Sequence, residues 1–259
     1  MKNYLLVLLS LVLFLPNLFH TDINPVESYN HIEVFDPSLS YLNSIHKIEN
    51  YVDSIAESRS IQQGTLQYVE IAANVLRARF YHGFSHFSLD ENWIAAASGK
   101  YIWYDLSCKV QPGSILEHPY AACSQQEIVF MTFLRDKHLI YRSVLFPHHY
   151  ALEILFHNQW YYFDTNMEPA MSGEQRLSDN WSNSADSLKR YYNTVEFKDL
   201  DYKFGVNVPL RYGPLNEVPA PHARLFQSVT AILSKTAWLL PLLLLFLLDR
   251  RKKKVVISE

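Results

Sequence analysis

Three side chains in this 259-residue chain could do covalent chemistry together: Cys123, His149 and Asp164. Their order is the one a thiol nucleophile needs. Only a thiolate attacks a carbonyl well, and a free cysteine is mostly thiol at neutral pH. A histidine beside it accepts the thiol proton and later returns it to the leaving group. An aspartate behind the histidine fixes its tautomer and stabilises the imidazolium.

The elements around these residues are readable from pattern. Cys123 stands just ahead of Ile128, Val129, Phe130, Met131, Phe133 and Leu134, which predict a helix with a broad apolar face. A cysteine at a helix N-terminus feels the positive end of the dipole, which favours its thiolate. Leu139 to Phe146 reads as a strand, a second strand starts near His149, and a third near Trp160 carries Asp164. If His149 faces Asp164 across paired antiparallel strands, Ala151 faces Tyr162, Glu153 faces Trp160, and Leu155 to Asn158 turn. A tighter Asn158-Gln159 turn sets Glu153 against Asp164, and like charges directly opposed are destabilising. Asn158 is the better turn former, but the expectation is the first register, with a bulge or wider loop.

The stretch H-Y-A-L-E-I-L-F-H-N-Q-W-Y-Y-F-D-T-N resembles the transglutaminase-like cysteine enzyme superfamily. In that family a helix begins at the Cys and an arginine-bearing strand follows. The His then opens a strand with a Glu shortly after, and a Trp precedes the Asp. Cys123, Arg142, His149, Glu153, Trp160 and Asp164 match in order and spacing, over roughly Trp93 to Met167. Ala121-Ala122 depart from a glycine common before the Cys, and Thr165-Asn166 from a common Pro-Thr. The resemblance implies an α+β fold with a papain-related core, the Cys helix packed on an antiparallel sheet that carries His and Asp. It implies a bacterial, membrane-anchored member with a Cys123, His149 and Asp164 triad. The reaction would be acyl transfer or amide hydrolysis through a thioester, on a peptide, protein or other amide- or ester-bearing substrate at the cell envelope. No cofactor and no metal are expected.

Other candidates read more plainly. Gln125 and Gln126, in the first turn after Cys123, could touch substrate or thiolate, but ordinary helix surface is the simpler reading. Arg142 fits a buttress for the sheet or a carboxylate. Of His148 and His149, alternation turns one inward, and the Glu153 and Trp160 spacing selects His149. His82 and His86 are four apart, yet Gly83 and Ser85 weaken a helix there and no third metal ligand stands nearby. Trp93 reads as a core anchor. Cys108 lies in a segment with no predicted histidine partner. A disulfide between Cys108 and Cys123 is the plain alternative to a free nucleophile.

Composition narrows the classes. A net charge of −3 gives no basic surface for nucleic acid. Glycine is scarce at 7 residues, and no G-x-G-x-x-G or Walker pattern occurs.

Both ends are apolar. Residues 1–21 read as a signal peptide or an N-terminal membrane anchor, with Lys2 ahead of Tyr4 to Leu15. Residues 22–200 read as the transglutaminase-like domain. Within it, helices are expected in Ser38 to Ser58, Gly64 to Phe80 and from Glu91 to Ala97, and a polar loop from Asn166 to Asn183. Residues 201–225, with Pro209, Pro214, Pro219 and Pro221 nearby, read as an extended linker. Residues 226–249 read as a C-terminal transmembrane helix and 250–259 as a basic cytoplasmic tail, because the Arg250 to Lys254 cluster marks the cytoplasmic side. Lys2 marks the same side, so the domain is expected outside, in the periplasm or at the cell surface, with the lipid bilayer as a partner. Two rival readings keep the fold without the chemistry: an anchored binding module, and a structural envelope component with its cysteines bridged.

Overall fold

The computed structural model describes residues 2–181 and 185–257, with side chains from Tyr4 through Arg250. The remaining side chains of the basic cluster, residues 258–259, and the end of the expected 166–183 loop lie outside the described residues. The helices are α1 (Lys2–Phe14), α2 (Ile45–Ser58), α3 (Leu66–Arg79), α4 (Leu89–Tyr101), α5 (Pro112–Leu116) and α6 (Cys123–Asp136). Strands β1 (Tyr141–Leu145), β2 (Tyr150–Phe156) and β3 (Gln159–Phe163) follow. Then come α7 (Asp186–Lys189), α8 (Leu200–Phe204), β4 (Arg211–Tyr212), α9 (Pro221–Thr236) and α10 (Leu239–Ile257). The architecture is α+β, with one antiparallel sheet ordered β3-β2-β1-β4.

The chain divides into two compact units. One comprises Glu27–Ser85 and Val110–Ala220 and holds the sheet. Its helices start where capping chemistry allows. The Ser44 and Thr65 side chains accept from the backbone N–H groups of Lys47 and Tyr68 and so open α2 and α3. Helix α2 buries Ile48, Val52 and Ala56, which lie on one helical stripe. Helix α6 is buried almost all round and packs on one face of the sheet, where the Phe130 and Phe163 rings meet edge to face at 6.2 Å. The other face, with Val144, Ala151 and Tyr162, is covered by Met167, Met171, Trp181, Leu188, Tyr192, Leu200 and Phe204. The region after Asp164 is thus a packed third layer rather than the expected polar loop.

Residues 201–225 are not an extended linker, as expected from their prolines. Phe204 at the end of α8 is fully buried, and β4 pairs with β1 through Val144↔Tyr212 and Leu145↔Arg211. The prolines there punctuate a folded segment instead of loosening it.

The strand register also differs from both versions weighed on the sequence. The ladder pairs Leu152↔Phe163, Glu153↔Tyr162, Ile154↔Tyr161, Leu155↔Trp160 and Phe156↔Gln159. Two residues make the turn, His157 and Asn158, both at positive φ (49° and 64°). That is the backbone of a type I′ turn, whose twist matches that of the flanking strands. Asn158 does form the turn, as its second residue rather than the first that the tight alternative supposed.

The second unit comprises residues up to Val26, His86–Lys109 and Pro221 onward. Residues 86–109, read from the sequence as part of the domain, fold with the two apolar ends. No single helix among the described residues is long and apolar enough to cross a membrane. Helices α9 and α10 reach that length and apolarity only together, and they are bent by 56° at Ala237-Trp238. The expected continuous helix over 226–249 is therefore broken. Pro241 supplies the reason: it has no N–H to give the carbonyl of Ala237, and its ring crowds that carbonyl.

Candidate active site

Cys123 is the first residue of α6, and the chain enters that helix along a fixed path. Ala121 donates to the Tyr81 carbonyl at 3.1 Å and Tyr81 to the Pro119 carbonyl at 3.1 Å, tying the approach to the end of α3. Gln125 Oε1 accepts from the N–H groups of Ala122 (3.1 Å) and Ser85 (2.8 Å), while its Nε2 donates to the Ser85 carbonyl at 2.8 Å. Gln126 Nε2 donates to the Ala121 carbonyl at 2.9 Å. Both glutamines are buried and spend these groups on the backbone around the helix start. Their role is to hold the N-terminus of α6, where the helix dipole meets the sulfur.

His149 stands just before β2 and Asp164 just after β3. In the observed register Asp164 falls opposite Ala151, so His149 is its diagonal neighbour rather than its direct one. Diagonal cross-strand neighbours are further apart yet still within reach of longer side chains. A shift of two residues also leaves both groups on the same face of the sheet, because side chains alternate with period two. His149 Nε2 and Asp164 Oδ2 are 2.6 Å apart, and both side chains are fully buried. The other ring nitrogen, Nδ1, is buried without an aligned hydrogen bond. The Cys123 thiol is close enough to His149 for each group to shift the other's ionisation.

Asp164 is held from all sides. Its Oδ1 accepts from the backbone N–H groups of Asn166 (3.2 Å) and Met167 (3.0 Å), and Oδ2 accepts from the Tyr192 hydroxyl at 2.9 Å. Tyr192 in turn shares a 2.7 Å hydrogen bond with Tyr162. The Asp164 N–H donates to Glu168 Oε2 at 3.1 Å, and Glu168 is paired with the Arg176 guanidinium.

These contacts set the charges. Burial works against an ionised Asp164, but His149 and the donors outweigh it and hold the carboxyl below its usual range. Burial likewise opposes a charged His149, yet Asp164 and then Cys123 push its pKa up to about 10. The Cys123 thiol is opposed by burial as well; its contact with His149 and that group's charge prevail and lower it. The Ser124 N–H adds a further donor to the sulfur. All three directions favour a thiolate and an imidazolium backed by a carboxylate.

Several residues in this assembly had no sequence signal strong enough to select them. Glu127 is one helical turn after Cys123 and fully buried. Its Oε1 accepts from the Thr165 N–H (2.9 Å) and hydroxyl (3.0 Å), while Oε2 has no partner. Burial, then the nearby Asp164, push its carboxyl well above the usual range. His82 is held neutral, its pKa lowered to about 4 by burial and by the charges of Lys203 and His149. Asn166 Nδ2 lies 3.5 Å from His82 Nδ1. The i+4 spacing of Glu127 from Cys123 and the D-T-N turn after β3 were the available hints; nothing local marked Tyr192, Glu168 or Arg176.

The remaining expected residues take other places. Arg142 donates from Nε to Glu153 Oε2 at 2.6 Å, and its guanidinium lies between the rings of Trp160 (4.2 Å) and Tyr212 (4.0 Å). Glu153 thus faces Tyr162 and Arg142, not Trp160. His148 is exposed and stacked on Tyr202 at 3.9 Å. Trp93 donates to the Ser234 carbonyl at 3.0 Å.

Both cysteines are free, so no disulfide joins them. Cys108 does have a histidine neighbour, contrary to the sequence expectation: its sulfur is 3.7 Å from His86 Nδ1. The His86 ring also meets Ser107 Oγ at 2.9 Å and the Tyr104 hydroxyl at 2.8 Å. Burial, and secondarily Asp105, push the Cys108 thiol up to about 12. No family model, curated protein or solved structure matches this chain.

Proposed function

We propose that this protein is a membrane-anchored thiol enzyme of the transglutaminase-like type, acting on an amide or ester carbonyl outside the cytoplasm. The Cys123 thiolate adds to the carbonyl carbon; a C–S bond forms and the π electrons move to oxygen. As that intermediate collapses, the bond to the leaving group breaks and protonated His149 delivers its proton to the departing amine or alcohol. Water or an amine then attacks the thioester while His149 takes its proton, and the thiolate is released. Asp164 stays ionised throughout and keeps the ring oriented. Water as acceptor gives hydrolysis, and an amine gives transfer.

The observation that carries this reading is the buried 2.6 Å pair of His149 and Asp164, with the Cys123 thiol against the same ring at a helix N-terminus. The order of the residues matches the papain-related arrangement that the resemblance implies. Anchoring rests on the apolar α1 and α10, and the flanking Lys2 and Arg250 to Lys254 cluster support a cytoplasmic side for both ends.

The test is labelling of the intact protein with a carbonyl electrophile, followed by mapping of the adduct. Modification of Cys123, abolished in His149→Ala, is the expected result. A protein left unmodified at Cys123 while its denatured form labels there would refute catalysis.

A further inference from the structure

The unit formed by the two chain ends and residues 86–109 has a small apolar cluster at Phe87, Ala95 and Ala96, but its helix contacts are largely polar. In a water-soluble helix bundle the polar residues face solvent and the apolar stripe is buried. Helix α9 does the reverse. It buries Gln227, Thr230 and Ser234, which lie on one stripe, and exposes Leu225, Val229, Ile232 and Leu233 on the opposite one, at 65%, 46%, 65% and 41%.

The buried polar groups form a network with α4. Asn92, where α4 is kinked, donates to Thr230 Oγ1 at 2.9 Å and accepts from Ser234 Oγ at 2.9 Å. Gln227 Nε2 donates to the Cys108 carbonyl at 2.6 Å. The same inversion marks α1. Its serine, Ser10, is buried and donates to the Trp238 carbonyl at 2.6 Å, and Asn17 donates to the Ser234 carbonyl at 3.0 Å, while Leu5, Leu8, Leu11 and Val12 face outward. Small residues on α4, Ala95, Ala96 and Gly99, lie at its buried side. At Gly99 the approach is so close that a Cβ would fall 2.1 Å from Ser107 Oγ. Small residues and interhelical hydrogen bonds on the inside, with aliphatic side chains outside, are how helices associate in lipid.

We propose that α9 and the Tyr101-Ile102-Trp103 turn after α4 are lipid-facing, so that a third stretch of chain joins the two apolar ends in contact with the bilayer. This rests on the membrane-anchored reading above and extends it to residues 86–109 and to α9. Lipid is the occupant that fits because the exposed stripe of α9 from Leu225 to Leu233 is aliphatic, as are most of the exposed residues of α1 and α10, while Thr230 and Ser234 are hydrogen-bonded inside. Its charged residues, Arg224 and Lys235, stand near the two ends of the helix, and Lys235 Nζ donates to the Asp90 carbonyl. The turn exposes Tyr101, Ile102 and Trp103 beside Lys100, the residue types of a membrane–water interface.

The test uses the full chain, with Cys108 and Cys123 replaced by serine, reconstituted in phospholipid vesicles. Single nitroxides are placed at Ile232→Cys, Ile102→Cys, Leu243→Cys on α10, and Val195→Cys as an exposed control. Collision with oxygen, which concentrates in lipid, is compared with collision with a water-soluble nickel complex. The proposal expects the labels at 232 and 102 to resemble that at 243, with oxygen collisions several-fold above those at 195 and nickel collisions correspondingly lower. Nickel access at 232 or 102, with 243 in lipid, overturns this proposal alone. Labels at 232 shielded from both reagents show a protein occupant and also overturn it. Nickel access at 243 refutes the anchoring itself. Quenching of tryptophan fluorescence by acyl-brominated lipid in the chain with its native cysteines gives an independent reading. Trp103→Phe should remove part of the quenching, and an unchanged quench would count against the turn.

Discussion

His149 Nε2 lies 2.6 Å from Asp164 Oδ2 although the two residues are diagonal, not opposite, across β2 and β3. The diagonal is bridged because Asp164 sits in a turn of its own, with Asn166, Met167 and Tyr192 all donating to it. A carboxylate fixed in this way can orient a ring without help from the ladder.

The two cysteines should differ sharply in reactivity. Cys123 is lowered by His149 against the effect of burial, whereas Cys108 is pushed up to about 12. Iodoacetamide titrated across pH should modify Cys123 well below the ordinary thiol range of about 8.5, and leave Cys108 untouched in the folded protein. His149→Ala should return the Cys123 profile to that range. Equal rates at the two sulfurs would count against the proposed chemistry.

The pH dependence of stability follows from the same pair. His149 has a folded pKa raised to about 10, so its contribution is fully present below about 6.5 and is lost as pH rises through about 10. The stability gap between the wild type and His149→Ala should therefore be widest in mild acid and close toward pH 10. Asp164 is lowered, so its contribution is present above about 3.9 and lost as pH falls through its folded value. Asp164→Asn should flatten that acid limb in urea unfolding measured at several pH values.

Catalytic loss should be graded along the chain of support. Asp164→Asn removes the charge behind His149 and should slow acylation by up to about 10⁴, the loss known for such triads. Tyr192→Phe removes one donor to Asp164, costs about 1 kcal/mol of stability, and should raise the pH at which Cys123 becomes reactive by a smaller step. Equal losses for the two variants would mean that Tyr192 holds the fold rather than the charge.

Glu127 should be better as a neutral group. Its folded pKa is raised well above the unfolded value, so folding loses stability as pH rises past about 4.3, where the unfolded chain ionises. Glu127→Gln keeps an oxygen for Thr165 and should melt above the wild type at pH 8, with the difference vanishing at pH 4. Glu127→Ala strands the Thr165 N–H and hydroxyl and opens a cavity, costing roughly 2–4 kcal/mol.

Arg79 should prove structural despite its charge. It is buried, and its guanidinium donates to the carbonyls of Leu42, His118, Ser40 and Leu116. Arg79→Met should leave those acceptors unpaired and cost roughly 3 kcal/mol or more in chemical denaturation. Because two of them lie just before Cys123, the same variant should also broaden the pH profile of its alkylation.

Much of this protein follows from local pattern alone. The stripes of α2, α3 and α6 obey the helical period, the spacing to Glu153 and Trp160 selects His149 over His148, and the order of Cys123, His149 and Asp164 sets them at the ends of one helix and two strands. Even with the register misjudged by two residues, parity kept the histidine and aspartate on one face. Other features needed the folded chain. The register depended on the two positive-φ residues His157 and Asn158, a choice between turns of similar local merit. Tyr192, Glu168, Arg176 and Glu127 reach the site from distant or unmarked positions, and no periodicity encodes such long-range hydrogen bonds. The union of residues 86–109 with the chain ends is likewise decided by Asn92, Thr230 and Ser234 finding one another, because a buried polar group must be paired wherever its partner lies in the sequence.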